Sequence, residues 1–275
     1  MHPDHIEKIR TLANYHKKVV EDFHKKHART LKVAKKHALT IASAAVIASA
    51  ALGGTYHVHA TNYARQKQQQ DKKNIEDFVR QLKDLLKDKK ELNKNEEKVI
   101  AEALSKKFNL NLKTTLDGNR LNEIYGYVGA EQHLKKWVGD LLAHHELHNS
   151  GMAPLQGAFK NFDNAKQEKY YVAVQLHELP NWNEQWPTLK PWYRFRKVFV
   201  FNPENQKGVV AVIGDSGPAK FTGKTFGGSP EVMEYLQMVD GSKKGKAIIL
   251  FIDDPENKIA LGPTDQESEQ ILVSK

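Results

Sequence analysis

Residues 196–236, RKVFVFNPENQKGVVAVIGDSGPAKFTGKTFGGSPEVMEYL, constrain the fold more than any other stretch of the chain. Two apolar runs, residues 198–201 and 209–213, flank Asn202-Pro203-Glu204-Asn205. β-Branched and aromatic side chains suit a pleated surface, and Asn and Pro supply the backbone a reversal needs, so the pattern predicts a β-hairpin. The second run delivers Asp215 into Gly214-Asp215-Ser216-Gly217-Pro218, where two glycines and a proline stop a strand. A carboxyl leaving a buried strand at a sharp turn is half desolvated and half accessible, a setting in which it can keep its proton for catalysis. The competing reading makes Asp215 a turn residue that bonds nearby amides.

With Ser229-Pro230-Glu231-Val232-Met233 after them, these residues resemble the double-psi β-barrel of the rare lipoprotein A and expansin families. There a strand, a short Asn-containing turn, a second strand and an Asp-x-Gly-Pro turn precede a Ser-Pro-Glu helix. Gly157-Ala158-Phe159 would match the family's opening strand and residues 247–252 its closing one. The likeness covers residues 152–254 and lies in order and spacing more than in identity. It implies a six-stranded barrel that acts on cell-wall glycan, with Asp215 as general acid and base. Glu168 and His177 stand nearest to the acid and the histidine that the resemblance adds, Glu178 is an alternative, and Ser216 would contact substrate. Relatives commonly carry a second Asp just before the helix, where this chain has Gly227. That departure keeps open an expansin-like role, binding polymer without cutting it.

Glycan cleavage needs a protonated acid beside the bridging oxygen, and the usual hydrolytic route needs a second carboxylate. A lytic transglycosylase uses one of the sugar's own hydroxyls instead, so a single group can serve first as acid and then as base. Trp182, Trp186, Trp192 and Tyr193, interleaved with Pro187 and Pro191, are candidates to stack on sugar faces. The same aromatics would equally well close one end of a small barrel.

Of the 42 Lys/Arg and 33 Asp/Glu, ten and four lie in residues 1–60, leaving 32 and 29 for the rest. The net charge of +9 therefore belongs mostly to the leader, and a nucleic-acid partner loses its support. The absence of cysteine excludes disulfides, thiol nucleophiles, Cys-based zinc sites and a lipidated Cys. Residues 1–37 are basic and rich in His, and residues 38–56 carry no charge. Two readings follow: an uncleaved membrane anchor through residues 38–56, or a signal segment cut after Ala60. Either places the remainder outside the cytoplasm, tethered in the first case and secreted in the second.

Residues 62–74 read as a polar linker or helical stalk. Ile75, Phe78, Val79, Leu82, Leu85 and Leu86 recur at helical steps, as do Val99, Ile100, Ala103, Leu104 and Phe108 behind an N-cap at Asn95. Residues 121–148 read as two more helices around Gly126 and Gly129, with Leu134, Trp137, Val138, Leu141 and Leu142 inward. His144 and His148 are four apart, but no third ligand is placed, so the expectation is a polar helix end and no metal. His133 is left between a place at the barrel and the surface. Residues 170–174 (YYVAV) predict a strand.

The expected chain is α+β: a basic leader (1–37), a membrane-spanning or signal helix (38–60), a helical region (61–150), a double-psi β-barrel (151–256) and a polar tail (257–275). Its expected partner is peptidoglycan or another cell-wall glycan, with no cofactor. A glycan-cleaving enzyme, a non-catalytic glycan-binding module and a structural envelope adaptor remain as alternatives.

Overall fold

The computed structural model describes residues 55–239 and 245–264, with side chains from Arg65 onward. The chain divides into two compact units, residues 1–69 and 70–275, and the described strands all lie in the second. The anchor or signal segment falls almost wholly outside the described residues. Among those that are described, no helix is long and apolar enough to cross a membrane.

Helix α1, Thr55–Leu86, runs through the polar stretch expected to be linker or stalk. Helix α2, Lys94–Phe108, starts at Asn93 rather than Asn95: the Asn93 carboxamide accepts from the amides of Asn95 and Glu96, and Glu96 bonds back to the Asn93 amide. This capping box satisfies amides that the first helical turn cannot. Val79, Leu82 and Leu86 of α1 join Ile100, Ala101 and Leu104 of α2 in one core with the strands. Both stripes therefore bury on the sheet as well as on each other, each large side chain contributing about 1.5–3 kcal/mol of transfer free energy.

Six strands close on themselves. In order around the ring they are β4 (Tyr125–Ala130), β8 (Phe226–Gly228), β5 (Tyr171–Val174), β7 (Gly208–Ser216), β6 (Lys197–Phe201) and β9 (Gly245–Ile252), which returns to β4. The pairs β4/β8 and β5/β7 are parallel and the other four antiparallel, so this is a closed mixed barrel. Short β1 (Leu112–Lys113) joins β9 and β10 (Gly262–Pro263) joins β7, while β2 (Thr115–Leu116) and β3 (Asn119–Arg120) form a separate ribbon. The expected hairpin is β6–β7, with Phe201 opposite Gly208. Buried Asn202 holds its turn, donating to the Leu236 carbonyl and accepting from the Glu204 amide. Helix α5, Pro230–Tyr235, begins at Ser229 as the Ser-Pro-Glu pattern implies.

Several expectations fail, each for a local reason. Residues 125–130 are a barrel strand, not helix, so the ring begins 26 residues before Gly151. The apolar spacing after it imitates a helix, but Gly139 sits at φ 85° and the Asp140 carboxylate bonds the amides of Lys136 and Leu141. Side-chain bonds of that kind compete with the helical ladder, and the segment forms only 3-10 turns at Leu142–His144 and His148–Ser150. Of the residues expected inward there, Leu134 is buried while Trp137, Val138 and Leu141 are exposed. Gly157-Ala158-Phe159 is loop and turn rather than an opening strand. The polar tail is not featureless, because β10 pairs with β7.

Candidate active site

Two parallel pairings and the antiparallel β5/β8 pair bring four positions into one row across one face of the sheet: Gly129, Gly227, Ala173 and Asp215. Side chains in such a row share a face. The three small residues form a buried floor that ends at a carboxylate, with the Glu131 side chain over Gly227 and the Lys224 side chain over Gly129. Around Asp215 the ladder shifts register between Val172 and Ala173, so Gly214 is extra and Asp215 shares its face with Ala173.

Asp215 is half-buried at the end of β7. Its Oδ1 accepts from the amides of Ala158, at 2.6 Å, and Ser216, at 2.8 Å. Both bonds go to one oxygen, and Oδ2 is left for a ligand. Burial lifts the carboxyl above the usual range, and the two amide bonds only partly oppose it. A fixed, partly desolvated acid with one oxygen available suits proton donation.

A second carboxylate stands over the floor. Glu131 follows β4, its amide donates to the Gly228 carbonyl, and its side chain bends back over Gly227. A Cβ at Gly227 would come within 2.1 Å of Glu131 Oε1 and 2.4 Å of Cγ, so the glycine is what admits this side chain. Burial raises Glu131 too, with Lys224 pulling it down and Asp215 pushing it up. The Lys224 side chain covers Gly129 in the same way. Tyr127, two residues before Gly129 on the same face of β4, is 41% exposed beside this row. Position 227 thus carries no carboxylate, and the carboxylate of Glu131, just past the neighbouring strand, lies over it.

The expected site residues fall into four groups. Asp215 stands alone, while Ser216 and His177 come together, His177 Nδ1 lying 3.4 Å from Ser216 Oγ with Glu178 Oε1 3.6 Å from the other ring nitrogen. Ser216 aligns with Val174 and so faces the opposite side of β7 from Asp215. Glu168 is elsewhere: it is 2% exposed, accepts from the Leu134 amide, and pairs with His133 and His145 at 3.2 and 3.0 Å. The aromatics form helix α4, Trp182–Tyr193. Tyr193 is buried, donates to the Arg120 carbonyl and packs with Trp192 on Phe251, Trp192 donates to Asp117, and Trp182 packs against Tyr193. Only Trp186 of that set is well exposed, at 50%. The helix serves as a cover for the barrel more than as a platform along the floor.

Glu131 escaped the sequence reading because its strand was read as helix. The alternation in Tyr125-Gly126-Tyr127-Val128-Gly129-Ala130-Glu131 was the available signal, with Tyr127, Gly129 and Glu131 on one face. The spacing of His144 and His148 reads as a polar helix end without a metal, and a ligand-like grouping lies elsewhere. His133, His145 and Glu168, not His144 and His148, bring ligand atoms within 4.8 Å of one another. Burial opposes charge on His133, yet its bonds to Glu168 and the Leu147 carbonyl outweigh this and leave it above its ordinary value. Compared with protein-family models and with curated proteins, the chain matches none.

Proposed function

We propose that the face between Lys224 and Asp215 binds a glycan strand, and that the protein acts outside the cytoplasm on cell-wall glycan, with peptidoglycan as the substrate. In this reading the closed barrel is a double-psi barrel similar to that of rare lipoprotein A. Asp215 protonates the bridging oxygen through Oδ2 as the bond to the anomeric carbon breaks. One of the sugar's own hydroxyls then attacks that carbon, and the Asp215 carboxylate takes its proton, which restores the acid. Glu131 stabilises the positive charge that develops on the sugar ring. Lys224 and Tyr127 grip the strand. The observation that carries the proposal is Asp215 itself, half-buried and pinned by two amides through one oxygen at the end of β7, with a second raised carboxyl, Glu131, over the row that leads to it.

Residues 61–275 incubated with peptidoglycan test it, with mass analysis of the soluble fraction. The expected result is release of anhydro-sugar products, abolished by Asp215→Asn and reduced at least about a hundredfold by Glu131→Gln. Co-sedimentation without soluble products would replace the enzyme with the binding module. Neither products nor co-sedimentation would leave the structural adaptor.

A further inference from the structure

We propose that His133, His145 and Glu168 hold a divalent transition metal, zinc by its donor set, which clips the segment after β4 to the barrel. The proposal stands apart from the glycan reading, since that reading uses none of these three residues.

The argument begins with a count of protons. Four hydrogen bonds run in series: Leu147 carbonyl to His133 Nε2, His133 Nδ1 to Glu168 Oε1, Glu168 Oε2 to His145 Nδ1, and His145 Nε2 to Asp140 Oδ2. Each bond needs one proton between its two heavy atoms. Carbonyl and carboxylate oxygens bring none when ionised, and two neutral imidazoles bring two. Completing the chain requires two more, and with them two positive charges, among side chains that are 0–3% exposed. A divalent cation brings the same charge. It would displace only the protons facing Glu168 and leave each Nε2–H donating outward, one to Leu147 and one to Asp140. The ion and the two carboxylates then sum to zero.

Geometry agrees. Donor atoms about 2.0–2.1 Å from zinc at tetrahedral angles stand about 3.3 Å apart. The two nitrogen–carboxylate separations are 3.2 and 3.0 Å. They run to different oxygens of Glu168, and all three ligand atoms lie within 4.8 Å of one another, so seating the ion requires the two imidazoles to draw toward a shared point.

The surroundings are those of metal-ligating imidazoles, whose remote N–H usually donates to a carbonyl or a carboxylate. Asp140 is fixed for this task by the amides of Lys136 and Leu141 and by His144. Glu231 lies close enough for its charge to act on both His133 and Glu168. Its buried Oε2 has no hydrogen-bond partner among the described residues. An unsatisfied buried oxygen is costly, and a metal or a metal-bound water beside it would remove the cost. An open surface depression is lined in part by Leu147, whose carbonyl His133 bonds, and by Pro230, the chain neighbour of Glu231.

The test uses the full chain, purified without chelator, with zinc as the probe. Elemental analysis should find about one zinc per chain, and chelation followed by zinc should lower and then restore the melting temperature. His133→Ala combined with His145→Ala should abolish uptake, whereas His144→Ala and His148→Ala should keep it. Should the double variant fail to fold, the ring 15N shifts of the wild-type imidazoles decide. Two of the 13 histidines should show metal on Nδ1 and a proton on Nε2 only when zinc is present. No stoichiometric uptake by chelated wild-type protein, or zinc signatures on other histidines, would overturn the proposal.

Discussion

Asp215 shows how one residue can serve chemistry at the expense of stability. Burial holds its carboxyl above the ordinary range, so the folded protein keeps a proton that the unfolded chain releases over that interval. Stability from this group is therefore whole below the ordinary carboxylate value and declines as pH rises through the raised one. Asp215→Asn keeps the oxygen that accepts from Ala158 and Ser216 and removes the charge. The variant should melt higher than wild type at neutral pH, with the advantage vanishing toward acid pH. Thermal melts across pH measure this, and an advantage that does not change with pH would contradict it. The residue stood out in the sequence because Gly214, Gly217 and Pro218 mark the end of its strand. Glu131 did not, because its importance comes from an empty Cβ position on another strand, at Gly227.

At the scale of elements, local chemistry decides where a helix starts and tertiary contact decides what it covers. The cap at Asn93 satisfies two amides of α2, so Asn93→Ala should cost about 1 kcal/mol while Asn95→Ala, inside the helix, should be neutral or stabilise by a few tenths of a kcal/mol. Urea unfolding of the two variants distinguishes the caps directly. Leu104 is fully buried between α2 and the barrel, whereas Val99, on the same apparent stripe, is 37% exposed. The periodicity of α2 was legible; which of its apolar residues touch the sheet was not, because that depends on where the helix lies. Helix α4 makes the same point with aromatics. A stretch rich in Trp and Pro identified an unusual element, but only the packing on Phe251 turns Trp192 and Tyr193 away from the surface.

For the whole molecule, β4 is the decisive piece. It lies between β8 and β9, and its loss would open the ring and expose two strand edges. Residues 151–275, the barrel as its sequence boundaries would have it cut, should therefore lack a cooperative thermal transition. Residues 70–275 should melt cooperatively, and circular dichroism of the two fragments is sufficient to tell. A cooperative melt from the shorter fragment would mean that the ring closes without β4.

By itself the sequence determined the elements whose signals are local: the β6–β7 hairpin, strands β5 and β9, the amphipathic stripes of α1 and α2, and the acid at a strand's end. Turn residues, side-chain periodicity and capping act over a few positions, and a single chain displays them in order. Only the tertiary structure decided that β4 is a strand, that Glu131 lies over Gly227, and that His133 and His145 converge on Glu168 across 35 and 23 residues of chain. Parallel pairing joins strands far apart in sequence, and no local pattern encodes its register; burial on both faces then determines which side chains meet.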